Sequence, residues 1–146
     1  MEKMMIQQNY DKRGLAREVA MAYLGTLYRW GGDDPSGFDC SGFVIEILQS
    51  VGKLLRKGDW SAGMLATIFP KIETPTLGCL VFYDNGNKTN IIHVEFCLNE
   101  ELSIGASGGG STTLTQADAI SQNAYIKIRP FRSRGNLNCF VDPFAS

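Results

Sequence analysis

Two side chains in this 146-residue chain could between them break an amide bond: Cys40, at the entrance to an apolar stretch, and His93, the sole histidine. Cys40 sits in Phe-Asp-Cys-Ser-Gly-Phe-Val, where the residues that follow carry helical periodicity. A cysteine in the first turn of a helix faces unpaired backbone N–H groups and the positive end of the helix dipole. Both favour the thiolate, which is the nucleophilic form. A thiolate nucleophile needs a base, and His93, at the start of a predicted strand, is the candidate. Either residue alone is more commonly structural: a buried cysteine behaves as a small hydrophobe, and a lone histidine on a half-buried strand is usually a satisfied one.

The other cysteines point elsewhere. Cys79 and Cys97 lie inside apolar runs and Cys139 in the C-terminal tail. There is no Cys-x-x-Cys or Cys/His pairing with metal spacing, so four reduced thiols are expected, three of them structural, with no metal and no cofactor. A formal net charge of −1 with 20% charged residues carries no footprint for nucleic acid. No apolar run is long enough to span a bilayer. The N-terminal stretch lacks the basic-then-apolar order of a secretory signal.

The elements that must position Cys40 and His93 follow from periodicity. Leu15, Val19 and Tyr23, with Ala16, Ala20 and Ala22 between, predict a helix over 12–24. A loop over 25–39 leads into a second helix over 41–51, whose Phe43, Val44, Ile47, Leu48 and Val51 form a broad apolar stripe. A short third helix is predicted over 61–69. Strands are predicted over 79–83, 91–98, 102–106 and 125–131, the second and third forming a hairpin around Asn99-Glu100-Glu101. Thr115 with Asp118 predicts a capping box. Helices followed by a strand meander argue for a single α+β domain over 1–146, with N-terminal helices packed on a central antiparallel sheet, a catalytic core at about 12–131 and a tail over 132–146.

The motif around the cysteine makes these parts specific. Tyr-x-Trp-Gly-Gly, then Pro-Ser-Gly-Phe-Asp-Cys-Ser-Gly-Phe-Val, then a Gly-Cys-Leu-Val-Phe strand and a His-Val hairpin resemble the NlpC family of papain-like cell-wall cysteine peptidases. The likeness runs from Leu15 to Ala106, and on toward Pro130. It implies a papain-like fold, with Cys40 as nucleophile and His93 as general base and later acid. Tyr28 would sit over the nucleophile, its hydroxyl holding the oxyanion beside the Cys40 backbone N–H. Asp39, Ser41 and Trp30 would form the substrate-binding part of the loop: Asp39 and Ser41 by meeting the substrate's free amine or bracing the loop, Trp30 by packing beneath it. The implied substrate is the peptidoglycan stem peptide, cut between D-γ-glutamyl and the diamino acid.

One position departs from that pattern. The family usually carries a third polar residue, often histidine, in a sequence like Ile-His-Ala; here Ile104-Gly105-Ala106 puts glycine in its place. Without an orienting partner the base loses control of its tautomer. Glu95, where the family usually has a small residue, stands two residues after His93 and shares its face of the strand. It is the replacement we expect, ahead of Ser107 and Asn90; an acid that reads substrate or faces solvent is the alternative.

Three further stretches are read conservatively. The GGDDPSGFD segment lacks alternating calcium ligands and is expected to form cleft wall. SGGGSTT lacks the lysine of a phosphate loop and is expected to form a flexible cleft rim. Lys127, Arg129, Arg132 and Arg134 make a basic run, either a solvated face or a contact with anionic wall polymer. The rival functions are acyl transfer or amidase action on the same fold, and a non-catalytic wall-binding or phage-tail structural module. A wall hydrolase with no signal and no wall-binding repeats leads to the expectation of a phage or prophage product, made in the cytoplasm, acting at the wall, and accompanied by other tail or lysis proteins.

Overall fold

The computed structural model describes residues 2–34, 37–56, 58 and 60–145. Three helices precede the main sheet: α1 (Glu2–Ala22), α2 (Cys40–Ser50) and α3 (Ala62–Ile68). Between the first two, β1 (Asp33–Asp34) and β2 (Gly37–Phe38) pair as a small antiparallel ladder. Then come β3 (Lys71–Ile72), β4 (Leu80–Asp84), β5 (Ile91–Cys97), β6 (Leu102–Ser107), α4 (Gln116–Ser121), β7 (Tyr125–Pro130) and β8 (Leu137–Val141). The last six strands form one antiparallel sheet in the order β3-β8-β4-β5-β6-β7. This is the expected α+β architecture, with helices on a central antiparallel sheet.

Helix starts follow local chemistry. Asp39 caps α2, accepting from the Gly42 N–H at 2.7 Å; Ser61 caps α3, accepting from the Met64 N–H at 3.2 Å. Thr115 and Asp118 exchange backbone bonds at both 3.1 Å, the reciprocal box that opens α4. Each cap satisfies N–H groups the first turn leaves unpaired. The β5–β6 turn is closed by Asn99, whose Oδ1 accepts from the N–H groups of Glu101 and Leu102 at 2.7 and 2.8 Å.

The predicted stripe on α2 is the core: Phe43, Val44, Ile47, Leu48 and Val51 are buried in one cluster with Leu80, Phe82, Val94, Phe96 and Ile104 of the sheet. On α1 the buried line is Ala16 and Ala20, while Leu15 is exposed. Val19 and Tyr23 of the predicted stripe pack against the same core, so the face was read correctly except at its Leu15 end. The alternate residues of the sheet, among them Cys79, Val81, Tyr83 and Cys97, form a second cluster with Phe131 and Phe140. All four cysteines are free thiols.

The segment expected as a tail is part of the sheet. β8 lies between β3 and β4, pairing Val81 with Phe140 and Phe82 with Cys139. Beyond it, Asp142 receives a bidentate ion pair from Arg13 of α1, at 2.9 and 2.7 Å, and Phe144 is buried in the main core. No helix among the described residues is long and apolar enough to cross a membrane.

Candidate active site

Cys40 is the first residue of α2, immediately after its cap. The carboxylate that caps the helix also accepts from the Gly31 N–H at 3.1 Å, so Asp39 ties the preceding loop to the helix start. The loop comes so close that a Cβ on Gly42 would collide with the Gly32 carbonyl; only glycine fits there. Pro35 and Ser36 of the motif lie outside the described residues.

Phe38 occupies the space beneath this loop. It is fully buried, edge-on to Tyr23 at 5.0 Å and to Phe43 at 5.9 Å between ring centroids. That corrects the placement expected for Trp30: with Phe38 in the core, the indole is left 51% exposed and lines the cleft in front of Cys40.

The cleft has a volume of about 660 Å³. Tyr28, Trp30, Asp39, Cys40 and Ser41 line it from the Cys40 side, and the stretch from Thr89 to His93 lines it from β5 and the turn before it. Of the segment expected as cleft wall, Asp39 lines the cleft, while Gly31 and Gly32 line a neighbouring hollow with Gln49 and Trp60. The opposite wall comes from Ser61, Ala62 and Gly63 at the start of α3, which sequence reasoning missed. Gly109 and Gly110 of the glycine run do line the cleft as expected. Any side chain at Gly109 would run into the Tyr28 ring, so this glycine gives Tyr28 its place.

His93 and Glu95 point to the same side of β5, and their side chains meet. His93 Nε2 lies 2.6 Å from Glu95 Oε2, with both residues almost wholly buried. The other carboxylate oxygen accepts from the Ser103 hydroxyl at 2.7 Å, and Arg129 Nη2 stands 3.9 Å from Oε2. Burial raises the Glu95 pKa, but the His93 hydrogen bond and charge, the Ser103 hydroxyl and Arg129 outweigh it, leaving the carboxyl below its ordinary range. An ionised carboxylate only accepts, so Nε2 carries the hydrogen and Nδ1 is left with the lone pair. Burial holds the His93 pKa below 6.5 against the pull of Glu95, so the imidazole rests neutral at pH 7.

Gly105 explains the absence of a side chain on β6. A Cβ there would lie 2.5 Å from Glu95 Cγ. The Glu95 side chain therefore fills the space a side chain at 105 would take. Ser103 and Arg129, which face each other across β6 and β7, complete the setting; sequence reasoning missed both. Ser107 is buried and Asn90 lines the cleft, but neither has a hydrogen bond to His93 among the described residues.

Electrostatics at Cys40 depart from the helix-dipole expectation. Burial pushes the thiol up to about 11, and the neighbouring Asp39 adds to it; backbone hydrogen bonds from Val94 and Ser41 and the charge of Arg134 only partly offset this. Desolvation of a thiolate outweighs a half-charge at a helix end. The pair thus rests as thiol and neutral imidazole. Tyr28 is pushed upward as well, by burial and then by the charges of Cys40 and Asp39, so its hydroxyl keeps its proton and can donate. The basic run is not one solvated face: Arg129 approaches Glu95, Arg134 reaches the cleft, and Lys127 and Arg132 lie over Tyr125 and Phe131.

Comparison with known proteins agrees with this geometry. The model of the NlpC/P60 family matches residues 25–130. A probable peptidoglycan endopeptidase, LytE, of Bacillus subtilis (strain 168) is 42% identical over 67 residues, covering 44% of this chain and 18% of that protein. A probable endopeptidase p60 of Listeria seeligeri is 33% identical over 91 residues, covering 62% of this chain and 17% of its own length. The chain thus spans less than a fifth of these two relatives. Among solved structures, the NlpC/p60 domain of the peptidoglycan hydrolase SagA superposes with a TM-score of 0.68 at 26% identity, over 89% of this chain and 97% of that one. The peptidoglycan hydrolase RipB of Mycobacterium tuberculosis has the same fold, with a TM-score of 0.72 at 20% identity, over 96% of this chain and 68% of that one.

Proposed function

The chain belongs to the NlpC/P60 family, and within that family we propose that it is a cysteine peptidoglycan hydrolase, an endopeptidase cutting stem peptides between D-γ-glutamyl and the diamino acid. The observation that carries the reading is the buried 2.6 Å His93–Glu95 contact, which orients a neutral imidazole in the cleft that also holds Cys40.

In the proposed reaction, His93 Nδ1 takes the Cys40 proton as the sulfur attacks the scissile carbonyl. Proton transfer and attack are coupled because the thiol is not ionised beforehand. The oxyanion accepts hydrogen bonds from the Tyr28 hydroxyl and the Cys40 backbone N–H. Glu95 stabilises the imidazolium, which then gives its proton to the departing amine. Water, deprotonated by His93, attacks the resulting thioester, and collapse of the second tetrahedral intermediate releases the carboxylate and restores the thiol.

A degenerate binding module drew its support from the missing partner at 105, and the His93–Glu95 contact speaks against it. Acyl transfer would use the same residues and differ in its products. The test is mass spectrometry of peptides released from purified peptidoglycan, with diaminopimelate or lysine at the third position, by wild type and Cys40→Ala. Fragments ending in glutamate that require Cys40 are expected; no Cys40-dependent product on either wall would return the binding-module reading.

A further inference from the structure

Arg134 lies in the connection between β7 and β8, after the 3-10 turn Phe131–Ser133 and at the end of the basic run, yet it lines the cleft with Cys40 and His93. Its guanidinium is stacked over the ring of Tyr83, 5.2 Å from the centroid. That ring in turn packs against His93 at 5.6 Å, and its hydroxyl is anchored to the Phe131 carbonyl at 2.7 Å. Arg134 therefore rests on a fixed aromatic platform beside the base. Arg13 and Arg129 each have a carboxylate within 4 Å; Arg134 has none among the described residues. A planar cation, preorganised and partly buried in a cleft, is suited to bidentate recognition of a carboxylate.

We propose that Arg134 binds a carboxylate of the substrate next to the scissile amide, and so selects peptides that carry one there. This rests on the peptidase reading above. Two carboxylates of a stem peptide lie close enough: the α-carboxylate that a γ-linked glutamyl leaves free, and the side-chain carboxylate of a diaminopimelate.

The position has a consequence for rate as well as binding. The Arg134 charge disfavours protonation of His93, yet His93 must become an imidazolium during the reaction. A substrate carboxylate on Arg134 neutralises the opposing charge as the imidazolium forms. The same carboxylate also screens the Arg134 charge that favours the Cys40 thiolate, and the balance of the two effects is read in kcat as well as in KM.

The test uses the full chain and three synthetic peptides: L-Ala-γ-D-Glu-diaminopimelate-D-Ala, the same peptide amidated at the glutamyl α-carboxylate, and the same peptide amidated at the diaminopimelate side chain. One amidation is expected to lower wild-type kcat/KM on the order of 10- to 100-fold, with part of the loss in kcat, as for removal of a charge-assisted hydrogen bond. In Arg134→Gln that same amidation should change the rate by less than about threefold, with Arg134→Lys in between, and thermal melting checks the folding of both variants. The amidation that matters identifies the carboxylate. If neither matters in wild type, or Arg134→Gln loses the same factor as wild type, the proposal is overturned. Calorimetry of the three peptides on Cys40→Ala and on Cys40→Ala with Arg134→Gln separates this from the peptidase reading. Carboxylate-dependent binding that needs Arg134 supports the proposal even if no peptide is cleaved. Equal binding of all three peptides, or none, overturns it.

Discussion

Cys40 is held by its neighbours in the chain, whereas the partner of His93, Glu95 of the same strand, is itself seated by side chains from other strands. On the nucleophile side, Asp39 caps the helix that begins at Cys40 and binds the Gly31 N–H, while Phe38 anchors the loop in the core. On the base side, Glu95 of β5 meets Ser103 of β6 and Arg129 of β7, with Tyr83 of β4 against the imidazole. The first arrangement is made of helix-capping and tight-loop contacts that a short segment can form by itself. The second exists only when four strands are in register. The two sides should therefore fail differently: one by losing a helix start, the other by losing the orientation of a proton.

The largest break is chemical. Cys40→Ser should reduce peptide release by at least about 10⁴-fold, as for loss of a catalytic nucleophile, while the fold stays intact by circular dichroism. Next is Glu95→Gln, which keeps the shape but can no longer impose one tautomer. A kcat loss of roughly 10²- to 10⁴-fold is expected by analogy with removal of the orienting group in a hydrolase triad, and wild-type kcat with an unshifted pH profile would sink the role given to Glu95. Pairing Glu95→Ala with Gly105→His sharpens the comparison, because it moves the partner from β5 to β6. If the exchange across strands is real, the double variant should recover at least about tenfold over Glu95→Ala alone.

Smaller changes separate the two sides further. Ser103→Ala leaves Glu95 Oε1 without its hydroxyl donor and should cost about 1.5–3 kcal/mol in chemical denaturation, as for a hydrogen bond to a charged group. Asp39→Ala removes the cap of α2 and should cost about 1 kcal/mol, read as a fall of roughly 2–4 °C in Tm. The resting protonation state can be read without substrate. With the Cys40 thiol pushed up to about 11 and His93 held below its ordinary 6.5, both are neutral at pH 7. The rate of Cys40 alkylation by iodoacetamide should then rise steadily from pH 7 to 10; a rate flat from pH 5 to 9 would mean a thiolate–imidazolium pair at rest.

The helix stripe Phe43, Val44, Ile47, Leu48 and Val51, the caps at Thr115 and Asp118 and the β5–β6 hairpin could all be read from the sequence. Each depends on residues three to eight positions apart, and their side chains interact wherever that segment folds. Glu95 could be read for a related reason: in any strand, i and i+2 share a face. What the alternation could not supply was the partner strand. That Glu95 fills the space over Gly105, that Ser103 donates to it and that Arg129 stands behind depend on the pairing of β5 with β6 and β7. Trp30 was misplaced because two aromatics competed for the space under one loop, and only packing shows that Phe38 takes it.

By itself, the sequence singled out Cys40 and His93 as the candidate pair, the helix that starts at Cys40 and the α+β class, because capping, periodicity and a contiguous motif act over a few residues. Tertiary structure alone decided that residues 137–141 enter the sheet between two earlier strands, that the base's carboxylate is seated by three strands, and that Arg134 turns from a basic run into the cleft. These outcomes depend on strand order and on competition for buried space, in which a residue's partner is chosen from the whole chain.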